Sequence, residues 1–239
     1  MNDGPRGRGT GRIAVVDYGV GNLRNVYKAL EAAGAPAQVI TQPEELAGAA
    51  GIVLPGVGAF GDAAANLRAA GFEAPLLASV QAGLPLLGIC VGMQLLFDES
   101  EETVGADLAP AQGTTHHAGL GIIPGRVVRF PAGMQGADGR ALKVPHIGWN
   151  QLSQRQRGDP LLADVPDGAY AYFVHSYYCA PADDRYTVTV TGFGIDYASI
   201  VRRGNVWGIQ CHPEKSQDVG LRILRNFMEI VNRDYLPGD

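Results

Sequence analysis

Cys90 stands between two glycines in Gly88-Ile89-Cys90-Val91-Gly92, after the apolar run Leu84 to Ile89 and before a helical run starting near Val91. A strand, a one-residue corner and a helix make up a nucleophile elbow, here with sulfur in place of a hydroxyl. Strand and helix approach closely at such a corner, so residues without a Cβ are favoured on either side of it. The corner lifts the Cys90 sulfur out of the sheet and sets it at a helix N-terminus. Unpaired N–H groups and the helix dipole there favour the thiolate, the reactive form. Taken alone, the spacing fits a buried core cysteine equally well.

A nucleophilic thiol needs a base, and the base needs a group that orients it. Gly208-Ile209-Gln210-Cys211-His212-Pro213-Glu214-Lys215-Ser216 supplies both. Proline biases His212 toward an extended backbone, and in an extended chain residues i and i+2 point to the same side. His212 and Glu214 are therefore expected to emerge together at the end of a strand. The order Cys90, His212, Glu214 differs from the nucleophile, acid, histidine order of the α/β-hydrolases, which disfavours an esterase of that fold.

The elements around these residues must place them at one rim. Ile13 to Asp17, Ala37 to Ile40, Gly51 to Leu54 and the elbow run are short apolar strands. Helical patterns after Asn22, from Asp62 to Ala70 and from Ala74 to Ala82 separate them. Such alternation implies a parallel sheet with right-handed crossovers and chemistry at the strands' C-terminal ends. Both Pro55-Gly56-Val57-Gly58 and Cys90 fall at such ends. The loop Tyr18-Gly19-Val20-Gly21-Asn22 has Arg24 where a dinucleotide fingerprint needs its third glycine, so a Rossmann reading fails.

Asp98 to Gly119 reads as a surface loop, and its His116-His117 pair as solvated rather than metal-binding. Further strands are expected at Arg126 to Phe130, Ala141 to Val144, Tyr170 to Cys179, Tyr186 to Thr191, Ala198 to Arg202 and Val206 to Cys211. Ser216 is expected to cap a last helix with Val219, Ile223, Phe227 and Ile230 on its apolar face. The fold class is thus α/β, a mostly parallel central sheet flanked by helices with added antiparallel strands in the C-terminal half.

The chain has 239 residues, 46% of them hydrophobic, enough for one well-packed domain over 12–239. Residues 1–11, rich in Gly and Arg, read as a flexible extension rather than a secretory signal. A net charge of −5 with both signs spread along the chain points to no nucleic acid and no anionic membrane. No apolar run reaches membrane-spanning length. Three cysteines give no disulfide framework and suit a reducing cytoplasm. Cys179 and Cys211 are expected to be buried and inert.

Gly-Ile-Cys-Val-Gly followed by Cys-His-Pro-Glu resembles the class I glutamine amidotransferases, which release ammonia from the glutamine side chain. Asp17-Tyr18-Gly19-Val20-Gly21-Asn22-Leu23, Leu54-Pro55-Gly56-Val57-Gly58-Ala59-Phe60, Val144-Pro145-His146-Ile147-Gly148-Trp149-Asn150 and Tyr172-Phe173-Val174-His175-Ser176-Tyr177-Tyr178 narrow the likeness. With the His-Pro-Glu-Lys-Ser segment they resemble, in order, the glutaminase subunits of imidazole glycerol phosphate synthase, of histidine biosynthesis. The resemblance runs from about Ile13 to the last helix. The N-terminal extension and a longer stretch around Ala109 to Ala118 depart from it.

The resemblance implies that Cys90, His212 and Glu214 are catalytic and that Gly56 or Val57, with Val91, donates to the oxyanion. In that family the oxyanion loop rests with its donor turned away until the partner is loaded, and the resemblance implies the same here. The likeness also implies that Gln94 and the backbone of His175, Ser176 and Tyr177 hold glutamine. Asn22, Asn25, Trp149, Tyr172 and Lys215 would face the partner, a (β/α)₈-barrel cyclase that uses the ammonia. No metal or organic cofactor is implied. A stand-alone γ-glutamyl or peptide hydrolase, or the glutaminase of another synthase, is the alternative.

Overall fold

The computed structural model describes residues 11–102, 116–136 and 138–233. Most of the expected N-terminal extension and the middle of the expected 98–119 loop lie outside the described residues. The first half runs β1 (Ile13–Val16), α1 (Leu23–Ala32), β2 (Ala37–Ile40), β3 (Gly51–Gly56), α2 (Phe60–Ala69), α3 (Glu73–Gln81), β4 (Leu86–Cys90) and α4 (Val91–Gln94). There follow β5 (Phe97–Ser100), β6 (His117–Ala118), β7 (Ile123–Arg129), β8 (His146–Gln154), β9 (Ala169–His175) and β10 (Tyr177–Pro181). The chain then forms β11 (Thr187–Gly192), β12 (Asp196–Arg203), β13 (Val206–Ile209) and α5 (Gln217–Asn232).

Strands β2-β1-β3-β4-β13 are adjacent and parallel. Every residue of β1, β3, β4 and β13 is buried. Helices cover both faces of such strands, which is why they read as unbroken apolar runs rather than alternations. On α1 the buried residues Val26, Ala29 and Leu30 form one stripe. On α5 the stripe carries Ile223, Leu224, Phe227, Ile230 and Val231. Register sets Gly56 beside Cys90 and Ile209 beside Ile89. The chain leaving β3, β4 and β13 therefore emerges at one rim, as the alternation of strands and helices predicts.

Beyond β13 the sheet turns antiparallel through β12, β10 and β7, and β5 joins β7 in parallel. A branch runs from β12 through β11 and β8 to β9. Several expectations change here. Ala141 to Val144 forms no strand, making only an isolated bridge between Ala141 and Gln135, because no partner strand lies beside it. The strand begins instead at His146 and runs through Gly148. Tyr170 to Cys179 is two strands, since the chain changes partners at Ser176: β9 pairs with β8, whereas β10 pairs with β7 and β12. The expected 98–119 loop is edged by β5 and β6.

Candidate active site

Cys90 closes β4 with φ 55° and ψ −111°, a left-handed conformation that a non-glycine residue holds only under constraint. The constraint is packing. A Cβ on Gly88 would lie 2.6 Å from the Gly92 carbonyl oxygen, and one on Gly92 would overlap the carbonyl of Leu54. Both flanking glycines are thus required by close approach, as the elbow reading expects. The helix that follows is a single turn, Val91–Gln94. So short a helix adds little summed dipole at the sulfur.

His212 leaves the end of β13 with an extended backbone, φ −97° and ψ 98°. Its Nδ1 lies 2.8 Å from Glu214 Oε1, with both side chains almost wholly buried. Because a carboxylate only accepts, Nδ1 carries the proton and Nε2 is left to face the cavity. Nε2 has no hydrogen bond of ordinary geometry, and Cys90 is the electrostatic partner on that side. Burial by itself would lower the pKa of His212. The Cys90 sulfur and the Glu214 carboxylate outweigh it and raise the pKa to about 10. A proton that reaches this imidazole is therefore held firmly between the sulfur and the carboxylate.

Three backbone and side-chain bonds hold this base. The His212 N–H donates to the Tyr172 carbonyl at 2.9 Å. Ser216 Oγ donates to the His212 carbonyl at 2.7 Å and accepts from the Tyr172 N–H at 2.9 Å. Ser216 therefore stitches the histidine turn to β9 instead of capping α5, which has no side-chain cap. Asn22 Nδ2 donates to Glu214 Oε1 at 3.3 Å, and Asn25 Nδ2 to Asn22 Oδ1 at 2.6 Å. Of the two asparagines expected at a partner face, Asn22 thus reaches Glu214 and Asn25 reaches it only through Asn22.

Cys90 and His212 open into one cavity of about 660 Å³, a volume suited to a small metabolite. Val57, Val91, Gln94, His175, Ser176 and Tyr177 border it, along with Asn22, Asn25 and Lys215. Gly56 does not: it sits behind the wall, where a Cβ would meet Gly92 N at 2.6 Å and Val91 Cβ at 2.9 Å. Of the two expected oxyanion donors on this loop, Val57 is the one at the cavity. Gly58, at φ 87°, supplies the left-handed turn after it. Tyr18 Oη donates to the Pro55 carbonyl at 2.8 Å and fixes the end of β3.

Gln94 is 3% exposed and donates through Nε2 to the Tyr177 carbonyl and to Gln210 Oε1, both at 3.2 Å. Gln210 in turn donates to Cys90 Sγ at 3.6 Å. Gln210 escaped the sequence reading because a buried glutamine one residue before Cys211 has no local signature. Glu102 escaped it too, at the edge of the acidic loop. It borders the cavity and accepts from the Phe60 N–H at 2.7 Å. Burial raises its pKa, the Phe60 bond opposes that, and Asp62 adds to it.

Cys179 and Cys211 are buried and free. Burial, then the Glu214 charge, pushes Cys211 up to about 12, and burial raises Cys179 well above the ordinary thiol value. Both are held as unreactive thiols, as expected. Among the described residues no cluster of His, Cys, Asp or Glu could hold a metal ion. Lys215 Nζ lies 5.5 Å from the Tyr172 ring, and Trp149 meets that ring edge-on with centroids 6.0 Å apart. β8 and β9 carry Ile147, Trp149 and Tyr170 at 61%, 46% and 55% exposure, an outward apolar face. Among the described residues no helix is long and apolar enough to cross a membrane.

Residues 14–231 match the family model of the class I glutamine amidotransferases. The imidazole glycerol phosphate synthase subunit HisH of Desulfitobacterium hafniense strain Y51 is 47% identical over 222 residues, 93% of this chain and 96% of that protein. The protein of the same name from Syntrophotalea carbinolica is 50% identical over 215 residues, 90% of this chain and 98% of its own. A glutamine amidotransferase crystal structure superposes with TM-score 0.65 at 24% identity, covering 91% of this chain and 98% of that one. The PurLQS structure from Thermotoga maritima gives the same TM-score at 18% identity, covering 92% of this chain and 98% of that one. Both structural likenesses speak to the fold.

Proposed function

The chain belongs to the class I glutamine amidotransferases, within the HisH subunits of imidazole glycerol phosphate synthase, and on that premise we propose how its residues hydrolyse glutamine. His212 takes the Cys90 thiol proton, and the sulfur attacks the carboxamide carbon to give a tetrahedral oxyanion. The C–N bond then breaks, and the imidazolium proton goes to the departing ammonia. Water, deprotonated by His212, attacks the γ-glutamyl thioester, the C–S bond breaks, and glutamate leaves. Glu214 holds the imidazole tautomer and stabilises the imidazolium. Val91 N–H and Val57 N–H are the oxyanion donors, each worth roughly 3 kcal/mol. Gln94 and the His175 to Tyr177 backbone hold the amino-acid end of glutamine. Glu102, a carboxylate at the same cavity, suits its α-ammonium group. What carries this reading is the meeting of Cys90 with the His212–Glu214 pair in one cavity.

Ammonia is protonated and lost in water, so the product goes to a partner, a (β/α)₈-barrel cyclase that makes imidazole glycerol phosphate. The outward apolar face with Trp149 and Tyr172, beside Lys215, Asn22 and Asn25, is where that partner docks and receives ammonia. A buried, unbridged cysteine set fits work in a reducing cytoplasm. The test is to co-purify the chain with the barrel cyclase and assay glutaminase with and without the cyclase and its ligand. A rise of at least tenfold in the loaded complex is expected. Glutamine hydrolysis indifferent to the cyclase would point instead to a stand-alone hydrolase.

A further inference from the structure

Deep between β8, β9 and β12, three ionisable rings form a chain that the triad does not use. His146 Nδ1 and His175 Nε2 each lie 3.1 Å from Tyr197 Oη, and all three residues are at most 7% exposed. His146 is clamped between the Phe173 and Phe193 rings, with centroids 5.1 and 4.2 Å away. Burial lowers the His146 pKa to about 4 and the His175 pKa to about 3. Both imidazoles are therefore neutral at physiological pH, each with one donor and one acceptor.

Backbone groups at the two ends fix every proton. Asn150 Oδ1 accepts from the Gln151 N–H at 2.8 Å and its Nδ2 donates to the Gly192 carbonyl at 2.8 Å, which settles the amide's orientation. That Nδ2 lies 3.3 Å from His146 Nε2, so Nε2 accepts and Nδ1–H donates to Tyr197 Oη. At the other end His175 Nδ1 lies 2.8 Å from the Tyr177 carbonyl, an acceptor only, so Nδ1 carries the proton. His175 Nε2 must then accept, and Tyr197 Oη–H is its donor. The same Tyr177 carbonyl receives Gln94 Nε2 at 3.2 Å.

We infer that Tyr197 is a positioning residue for glutamine binding: through His175 it sets the Tyr177 carbonyl, and through that carbonyl the Gln94 amide. The inference rests on the glutaminase reading above. Tyr197→Phe leaves His175 Nε2 without a donor and His146 Nδ1–H without an acceptor, among side chains at most 7% exposed. Cys90 is fixed by its own strained corner and meets this chain only through Gln210, whose Nε2 lies 3.6 Å from the sulfur, so the loss falls chiefly on the grip of the substrate.

The experiment measures glutamine kinetics and Cys90 alkylation by iodoacetamide, a small electrophile that needs no amino-acid grip, on the full-length chain alone and with the cyclase. Tyr197→Phe is expected to raise KM for glutamine at least tenfold and to leave alkylation within twofold of the parent. His146→Leu should act in the same way and add nothing to Tyr197→Phe in the double variant. His146→Gln, whose amide can accept from Asn150 and donate to Tyr197, should keep KM within threefold. If Tyr197→Phe does not fold, the His146 pair carries the test alone. An unchanged KM in an active parent background overturns the inference only. So does a fall in alkylation that matches the loss in kcat/KM, or equal damage from His146→Gln and His146→Leu. A parent that hydrolyses no glutamine overturns the proposed function itself, and this inference with it.

Discussion

Cys90 and the His212–Glu214 pair are held in place by different means. Cys90 is fixed by backbone: a left-handed corner and two glycines whose missing Cβ atoms let α4 lie on the carbonyl of Leu54. His212 is fixed by single hydrogen bonds with Glu214, Ser216 and the Tyr172 backbone, and Asn22 bonds Glu214 behind it. A nucleophile held by packing admits no partial failure, because one added carbon has nowhere to go. A base held by several bonds loses them one at a time, each worth about 1 kcal/mol when neutral and more when charged.

Substitutions should sort along that line. Cys90→Ala removes the sulfur and should lower glutaminase kcat by at least ~10⁴-fold while the thermal midpoint stays within a few degrees of the parent. Gly92→Ala attacks the corner without touching chemistry, and should destabilise the chain by more than about 3 kcal/mol in a denaturant titration. Glu214→Gln leaves the fold and weakens the base, so kcat should fall roughly 100-fold. Since Glu214 is one of the groups that raise His212, the same substitution should move the alkaline limb of the pH profile below the position set by the parent's pKa of about 10. Asn22→Ala removes a 3.3 Å bond to that carboxylate and the 2.6 Å bond accepted from Asn25, and a loss of about fivefold in kcat is expected. Equal losses from Gly92→Ala and Asn22→Ala in stability would erase the contrast.

Acid should expose another difference. His146 and His175 have folded pKa values of about 4 and about 3, below the ordinary histidine value. The unfolded chain therefore binds more protons as pH falls below ~6.5, and stability drops through the window from there toward pH 4. His212 works the other way: its raised pKa stabilises the fold fully below ~6.5 and ceases to do so as pH rises through about 10. Thermal midpoints should fall on both sides of neutrality, and His146→Gln should flatten the acid side.

How much could be read beforehand follows the same divide. Features enforced by local backbone were legible: the elbow from Gly88 and Gly92, the extended His212 from Pro213, and the parallel strands from their unbroken apolar runs. Features that depend on which strands meet were not. β8 hides behind Pro145 and Gly148, residues that ordinarily punctuate a strand. The break at Ser176 is invisible because the residues on both sides favour strands and only their partners differ. Ser216 carries the signature of a cap yet spends its hydroxyl on His212 and Tyr172. Gln210, Glu102 and the His146–Tyr197–His175 chain join segments far apart in sequence, so no spacing announces them.

If the Cys90 sulfur, served by His212, is the nucleophile, it bonds covalently to the glutamyl group in every turnover. Acid quench during glutamine turnover, followed by proteolysis and mass spectrometry, tests it most directly. A γ-glutamyl adduct is expected on the peptide containing Cys90 and none on those containing Cys179 or Cys211. Steady release of ammonia with Cys90 unmodified, or with Cys90→Ala as active as the parent, would contradict it.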